Sequence, residues 1–175
     1  MVHHTQLLGK LVEDGYLVPV TAVDEKVTYH NPCYLGRHNR IYTPLREILN
    51  AIPGFQTMEM QRCKERGFCC GAGGARMWME EKIGKRINVE RTEEALGTDA
   101  DLISTACPFC VMMLSDAVTA KQQAGEASKG VQVLDVSQIL ARSLVSPTAP
   151  AVHAAPQTSP EQTDQGAEPP PSVGP

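Results

Sequence analysis

The chain has 175 residues, a net charge of −4 at neutral pH, 42% hydrophobic residues and few aromatic ones. Residues 146–175 hold three carboxylates and no lysine or arginine, so residues 1–145 are close to neutral, which excludes the strongly basic surface of a nucleic-acid-binding domain. No apolar run approaches the roughly 18 residues of a membrane-spanning helix, and the first residues lack the apolar segment of a secretory signal. These features predict one soluble cytoplasmic domain without a membrane span of its own.

In the first half of the chain, apolar periodicity predicts two helices and two strands. Leucines and valines at helical spacing predict a first helix over 7–12. Residues 27–30 have the composition of a strand, and the Asn–Pro pair that follows would place Cys33 just beyond its carboxyl end. A second helix is predicted to begin with Thr43 as its N-cap, and residues 55–60 are the next strand candidate.

In the second half, the longest predicted element is a helix over 76–96, with Met79, Ile83 and Ile87 as its apolar row. A strand over 101–106 would place the next cysteine motif at its carboxyl end. The remaining predicted elements are a helix from 109 to Gly125, a strand over 131–134, and a last helix that a capping box of Asp135 and Gln138 opens.

Strands that alternate with amphipathic helices indicate an α/β fold with a mostly parallel sheet. In open sheets of this kind, ligands bind beyond the carboxyl ends of the strands. The cysteine-bearing segments all fall just after a predicted strand or in the loop into a helix. We therefore expect five thiols from three loops to converge on one edge of the sheet: Cys33, Cys69, Cys70, Cys107 and Cys110.

The stretch Cys69–Cys70–Gly71–Ala72–Gly73–Gly74 carries the clearest chemical signal. Neighbouring cysteines make a strained disulfide, whereas two soft thiolates suit an iron–sulfur cluster, zinc or Cu(I). The glycines permit backbone conformations in which successive N–H groups point at an anionic group. Six cysteines without an export signal likewise favour metal or redox chemistry over a disulfide framework. Because tetrahedral zinc would leave one of five thiolates unused, an iron–sulfur cluster is favoured and a structural zinc site is the alternative.

The cysteine spacing resembles that of a known family. Between Cys33 and Cys69 lie 35 residues, between Cys70 and Cys107 lie 36, and Cys107–Pro108–Phe109–Cys110 closes the pattern. This pattern, with the flanking sequences YHNPCYLGR and FCCGAGG, is similar to the cysteine-rich CCG domain found in the B subunit of heterodisulfide reductase and in iron–sulfur subunits of glycolate oxidation and lactate utilisation. The resemblance covers roughly residues 5–144.

The resemblance implies that Cys33, Cys69, Cys70, Cys107 and Cys110 are ligands of an iron–sulfur cluster, a [4Fe–4S] cluster that is non-cubane in the heterodisulfide reductase branch. It implies an iron–sulfur oxidoreductase module that transfers electrons to a disulfide or another acceptor. The alternatives are a non-catalytic electron relay in a flavin dehydrogenase complex for glycolate or lactate oxidation, and a zinc-stabilised interaction domain.

Members of this family usually carry two CCG copies, and this chain has one. We therefore expect the partner to be a second CCG domain or an upstream iron–sulfur domain, with a flavin or membrane redox partner that would bring the module to the inner face of the membrane. The chain would then be the carboxyl-terminal part of a longer reductase or one half of a two-chain site. On this interpretation the isolated chain is catalytically incompetent.

Several residues beside the cysteine pattern receive more ordinary interpretations. Cys63 lies outside the pattern and is expected to be a free thiol. His30 and His38 flank Cys33 and could hydrogen-bond a cluster sulfur or relay protons, but local partners at a strand end and in a loop are the favoured interpretation. The basic residues in the cysteine loops are interpreted as solvated surface charge, with cluster neutralisation or partner docking as the alternative: Arg37, Arg40, Arg62, Lys64, Arg66 and Arg76.

The last thirty residues form a segment of their own. Residues 146–175 hold eight of the thirteen prolines among Ala, Gln, Ser, Thr and Glu, and cannot bury enough apolar surface to order themselves. The sequence thus predicts a cysteine-rich domain over 1–145 and a disordered proline-rich tail over 146–175.

Overall fold

A computed structural model describes residues 2–81 and 83–144 of the chain. Five α-helices and four strands alternate within these residues, joined by loops that contain three short turns of other helical types. The helices are α1 (His4–Glu13), α2 (Thr43–Ala51), α3 (Ile87–Leu96), α4 (Pro108–Gln123) and α5 (Val136–Leu144). The strands are β1 (Lys26–Tyr29), β2 (Gln56–Met58), β3 (Leu102–Thr105) and β4 (Gln132–Asp135).

The four strands form one all-parallel sheet in the order β2-β1-β3-β4. The register pairs Val27 of β1 with Thr57 of β2 and Leu102 of β3, and Ile103 of β3 with Val133 of β4. The predicted α/β fold with a parallel sheet is confirmed. Because β2, β1 and β3 are neighbours and run in the same direction, the loops that follow them open at one edge of the sheet.

Helices cover both faces of the sheet, as parallel sheets require. On one face, Val27 and Leu102 pack in a core with Ile48 of α2 and Ile139 of α5, and α1 contacts both of these helices. On the other face, Ile103 packs with side chains of α3 and α4. Adjacent residues of β3 thus pack in the cores on opposite faces of the sheet. The two central strands are β1 and β3.

The helix starts match the sequence only in part. At α5 one half of the predicted capping box is present, because the Asp135 N–H donates to Gln138 Oε1 at 3.0 Å. The Asp135 side chain caps the helix through the Ser137 N–H, which donates to Oδ1 at 2.9 Å. The prediction for α2 was wrong by one residue. Tyr42 is the N-cap, Thr43 is the first helical residue, and no side chain caps this end.

The predicted long helix over 76–96 was wrong in its first half. Only Ile87–Leu96 is α-helical, and Gly73–Trp78 instead forms a 3₁₀ segment with left-handed backbone at its second and third residues. Gly84 adopts a φ of +71°, which an α-helix cannot contain. The side chains of Met79 and Ile83 are 56% and 88% exposed. Burial of apolar surface therefore does not offset the free-energy cost of placing a glycine inside a helix.

A continuous helix over 76–96 would also pair Glu81 with Lys85 at i,i+4 spacing. Glu81 binds Arg76, and Lys85 binds Glu90 and Glu93 of α3. No helix among residues 2–81 and 83–144 is both long and apolar enough to cross a bilayer. The tail predicted over 146–175 lies outside the described residues.

Candidate metal centre

Five of the six cysteines surround one cavity at the carboxyl edge of the sheet. Cys33 follows β1, Cys69 and Cys70 lie in the loop that follows β2, and Cys107 and Cys110 lie at the start of α4, which follows β3. The cavity has a volume of about 410 Å³, within the range of ligand pockets of about 300–1,000 Å³. All five thiols line it, as the sequence led us to expect.

The thiols are close to one another but not bonded. Cys33 Sγ lies 4.0 Å from Cys69 Sγ, and Cys70 Sγ lies 3.4 Å from Cys110 Sγ. A disulfide requires about 2.05 Å, and all six cysteines are free. Two close pairs from three loops form the arrangement that a multi-metal group can bridge, because soft metals bind thiolates from several directions.

Two bonds hold the Cys33 loop against the loop that carries Cys69. Cys33 precedes a π-helical turn, Tyr34–His38, and Arg37 of that turn donates to the Gly67 carbonyl at 2.8 Å. The buried Asn31 side chain accepts a bond from the Lys64 backbone N–H at 3.2 Å. These links set the separation of the two cysteine-bearing loops.

Gly71 is the residue of the glycine-rich turn whose lack of a side chain matters most. Its φ is +92°, and a Cβ there would lie 3.2 Å from the Cβ of Ile87 and 3.3 Å from the Asn88 nitrogen at the start of α3. In this conformation the Gly71 N–H donates to Cys69 Sγ at 3.2 Å. The expectation that the turn aims backbone N–H groups at an anionic sulfur is met at this position.

Two of the five thiols are poised to ionise. Hydrogen bonds from the Cys33 and Cys70 thiols, with backbone N–H groups of Gly71 and Gly73, hold the pKa of Cys69 well below its ordinary value. At the start of α4, the Cys110 thiol and then the backbone N–H groups of Cys110 and Phe109 lower the pKa of Cys107 to about 6.

Their partner thiols keep their protons. The bond to Cys69 and burial raise the pKa of Cys33, and the bonds to Cys107 and Cys70 raise the pKa of Cys110. Metal ligands must be thiolates, so binding would displace these remaining protons.

The two histidines that flank Cys33 differ in their surroundings. His30 is fully buried, accepts a hydrogen bond at Nδ1 from Arg91 Nε at 3.0 Å, and has a pKa lowered to about 3 by burial and by the charge of Arg91. A ring nitrogen of His30, Cys70 Sγ and Cys110 Sγ all lie within 4.8 Å of one another. His38 is exposed at the mouth of the cavity, with its ring 6.0 Å from that of Tyr34. His30 therefore has a protein partner, but that partner is not local, because Arg91 lies on α3, 61 residues later in the chain.

The remaining polar residues singled out in the sequence lie outside the cavity. Cys63 does not line it, and burial and the nearby Glu59 raise its pKa. Arg62 binds Glu90 and Glu94, and its guanidinium lies 3.9 Å from the centre of the Phe68 ring. Among the described residues, none that lines the cavity is Asp, Glu, Lys or Arg.

Sequence reasoning missed Arg91, which is 0% exposed and binds both His30 and Glu94. A signal was available. The apolar row proposed from Ile83 and Ile87 continues, at the same spacing of four, to Arg91 and then to Ala95. A cation at a core-facing position of a helix is rare unless it is paired, so it indicates a buried polar network.

The mouth of the cavity is rimmed by exposed aromatic side chains. Trp78 is 81% exposed, Tyr34 is 74% exposed and Phe109 is 54% exposed, and all three line the cavity. These three side chains form an apolar rim at the cavity that the thiols line. Apolar surface concentrated at one site is typical of a surface that contacts a partner.

Comparison with known proteins agrees with the cysteine geometry. A family model described as "Cysteine-rich domain" (CCG) matches residues 27–115, which include all five cavity cysteines. The chain is 51% identical over 143 residues to a Bacillus subtilis protein named "Probable iron-sulfur-binding oxidoreductase FadF" and 44% identical over 149 residues to "EtfAB:quinone oxidoreductase" of Syntrophomonas wolfei. It is 40% identical over 116 residues to a subunit of the dihydromethanophenazine:CoB–CoM heterodisulfide reductase of Methanosarcina acetivorans.

These similarities cover most of this chain but a minor part of each relative. The alignments span 82%, 81% and 66% of this chain, and 20%, 20% and 28% of the three relatives respectively. The matched region runs from β1 through β2 and β3 to the first half of α4, and so includes the segments after these strands in which the five thiols lie. By this match and by the cysteine set that lies within it, the chain belongs to the family of proteins with the cysteine-rich CCG domain.

Proposed function

We propose that the chain binds one iron–sulfur cluster through Cys33, Cys69, Cys70, Cys107 and Cys110 and works as an electron-transfer module of a larger oxidoreductase. The observation that carries this proposal is that five thiols from three loops line one cavity. Tetrahedral zinc would use four of them and leave a half-buried thiolate without a ligand role. A thiolate-ligated iron–sulfur cluster suits a set of this kind.

The protein groups around the cavity fit an anionic group. The Gly71 N–H already donates to Cys69 Sγ, and the backbone N–H groups at the start of α4 face Cys107. Such donors stabilise negative charge on sulfur, and with burial they tune the potential of a cluster. When bound, the cluster would accept and release single electrons. The chain's own contribution is to hold the thiolates, to supply N–H donors and to cover the inner side of the site with the two cores.

We propose further that the rim of Tyr34, Trp78 and Phe109 receives a second cysteine-rich domain. The chain spans about a fifth of the length of the first two relatives, and the relative from Methanosarcina acetivorans is named as one subunit of a heterodisulfide reductase. The rim is apolar, surrounds the thiols, and is exposed among the described residues. In this assembly the acceptor would be a disulfide held between two cluster sites.

A second candidate is an electron relay from a flavin dehydrogenase toward a quinone, at the inner face of the membrane through a partner. The observation in its favour is that the identity to the relative named "EtfAB:quinone oxidoreductase" is 44%, against 40% for the heterodisulfide reductase relative. Both candidates use the same cluster and the same rim, and they differ in the acceptor.

Anaerobic reconstitution tests the cofactor, with iron, acid-labile sulfide and the EPR spectrum measured on one sample. We expect a brown protein with iron and sulfide in similar amounts. Replacing Cys70 by Ser should remove iron and lower the melting temperature together, because metal binding is coupled to folding. The matched control is Cys63→Ser, which should keep its iron because Cys63 does not line the cavity. A colourless protein with one tightly bound zinc, or equal iron loss in both variants, would contradict the proposal.

A further inference from the structure

A buried chain of polar side chains leads from α3 to the thiols. Glu94 Oε2 accepts a bond from Arg91 Nη1 at 2.9 Å, and Arg91 Nε donates to His30 Nδ1 at 3.0 Å. Arg91 and His30 are both 0% exposed. His30 directly follows β1, and its backbone N–H is fixed to the Ser104 carbonyl of β3 at 2.8 Å. The sheet thus fixes the backbone of His30, and α3 fixes its imidazole through Arg91.

This contact determines which ring nitrogen of His30 carries the proton. A guanidinium has only N–H donors and no acceptor, so the nitrogen that faces Arg91 must accept. A ring flipped about its long axis would place a carbon in front of the Arg91 N–H, so the bond also fixes the ring orientation. The imidazole is neutral, and its single proton therefore lies on Nε2.

That proton has no partner in the part of the chain that the structure describes. His30 Nε2 is buried and makes no hydrogen bond with any described residue. Buried polar groups in native proteins are nearly always hydrogen-bonded, so the N–H requires an acceptor. Sulfur is a candidate acceptor, because a ring nitrogen of His30 lies within 4.8 Å of both Cys70 Sγ and Cys110 Sγ.

The same contact argues against His30 as a metal ligand. Histidines that bind metals usually donate their other N–H to a carboxylate or carbonyl and use the unprotonated nitrogen as the ligand. In His30 the arrangement is reversed. Nδ1 accepts a hydrogen bond from Arg91 and does not donate one, and Nε2, the nitrogen that would have to bind the metal, carries the hydrogen. A sixth ligand at this position would require the loss of that hydrogen.

We propose that His30, held in the Nε2–H tautomer by Arg91 and Glu94, is a positioning residue that donates a hydrogen bond to sulfur on the Cys70–Cys110 side of the cluster and raises its reduction potential. This inference rests on the proposed function. Reduction places one more electron on the cluster and makes its sulfurs better acceptors, so a fixed N–H donor stabilises the reduced form more than the oxidised form. One electron enters from the reductant, and the proton stays on Nε2 throughout.

The test is a dithionite titration of the reconstituted full chain, with the midpoint potential followed by EPR. His30→Leu removes the donor and should lower the equilibrium constant for one-electron reduction of the cluster by about tenfold. This corresponds to a shift of the midpoint potential by about 59 mV to more negative values. His30→Gln keeps an N–H donor near the Nε2 position and should recover part of the shift. His4→Leu is the matched histidine control and should leave the potential close to that of the wild type, because His4 lies on α1 and does not line the cavity.

A second pair of variants tests the role of Arg91. Arg91→Gln frees His30 from its fixed tautomer and should lower the potential, whereas Arg62→Gln should change it far less, since Arg62 binds the same Glu94 without touching His30. Because Arg91→Gln removes the donor to the buried His30 Nδ1 and one of the two arginines that bind Glu94, this variant can fail to fold.

Pulsed EPR on the reduced wild type, with ¹⁵N-labelled histidine and in D₂O, needs no such variant. We expect a weak hyperfine coupling to a histidine ¹⁵N nucleus and a second one to an exchangeable deuteron, and both should be absent in His30→Leu. A strong coupling of a coordinated nitrogen, no coupling at all, or an unchanged potential in His30→Leu would overturn the inference while the cluster remains. A wild type that binds only zinc would overturn the proposed function instead, and this inference with it.

Discussion

Replacement of Gly71 by alanine should destabilise the protein more than the same change at a neighbouring glycine. A residue with a side chain pays about 1–2 kcal/mol for left-handed backbone, and φ at this position is +92°. The new Cβ would also lie 3.2 Å from the Ile87 Cβ and 3.3 Å from the Asn88 nitrogen, and overpacking of this kind costs about 1–3 kcal/mol. We therefore expect Gly71→Ala to lower the free energy of unfolding by roughly 2–5 kcal/mol.

Gly74 provides the matched control within the same turn. Its φ is also positive, at +64°, but no atom lies within 4 Å of the position of its Cβ. Gly74→Ala should therefore show the backbone cost alone, about 1–2 kcal/mol. Gly73, with no positive φ and open space around it, should tolerate alanine almost without loss.

Urea unfolding of the metal-free chain, followed by circular dichroism, measures these differences without interference from the cluster. Iron content after reconstitution gives a second readout, because a displaced Gly71 N–H can no longer donate to Cys69 Sγ. The expected order of stability is wild type and Gly73→Ala, then Gly74→Ala, then Gly71→Ala. Equal losses for Gly71→Ala and Gly74→Ala would show that the packing against α3 does not restrict this turn, and would refute the reasoning.

Three further results are expected. In the anaerobic metal-free protein, iodoacetamide should modify Cys107 faster than Cys63 at pH 7, because a pKa of about 6 makes Cys107 about nine-tenths thiolate there while the pKa of Cys63 is raised. The rate of modification at Cys107 should fall as the pH drops through 6, whereas its lead over Cys63 should narrow only as the pH rises and Cys63 ionises; mass spectrometry showing Cys63 modified first at pH 7 would contradict this. Deletion of residues 146–175 should leave iron content and melting temperature unchanged, since this composition supplies no core, and a large fall in either would show that the tail docks. The isolated chain should bind its cluster yet turn over little disulfide with an artificial electron donor until a second cysteine-rich domain is added, and full turnover by a monomer would show that one cluster site suffices.

The sequence was informative where local pattern and topology agree. Short apolar strands such as the one at 102–105 and the amphipathic helix at 136–144 were predictable because their periodicity matches the core that they enter. The convergence of the thiols followed from a topological rule, since neighbouring parallel strands deliver their loops to the same edge. The predicted cysteine set could therefore be placed in one cavity before any distance was known.

Two features depended on tertiary contacts that no local pattern contains. The segment before α3 has helical periodicity, but Met79 and Ile83 find no core to enter, so Gly84 sets the backbone instead. The role of Arg91 depends on the position of His30, which is 61 residues earlier in the chain. A cation in an apolar row can be noticed in a sequence, but its partner cannot be named from spacing alone.

The position of Trp78 in the aromatic rim allows the site to be followed by intrinsic tryptophan fluorescence. Trp78 is the single tryptophan of the chain, and it is exposed beside the thiols. All intrinsic tryptophan fluorescence therefore originates at the mouth of the cavity, with a water-exposed emission maximum in the free chain. A bound chromophore would quench this emission, and a domain seated on the rim would shift it to shorter wavelength. Cofactor loading and partner docking can thus be followed in real time, and distinguished from each other, without any label.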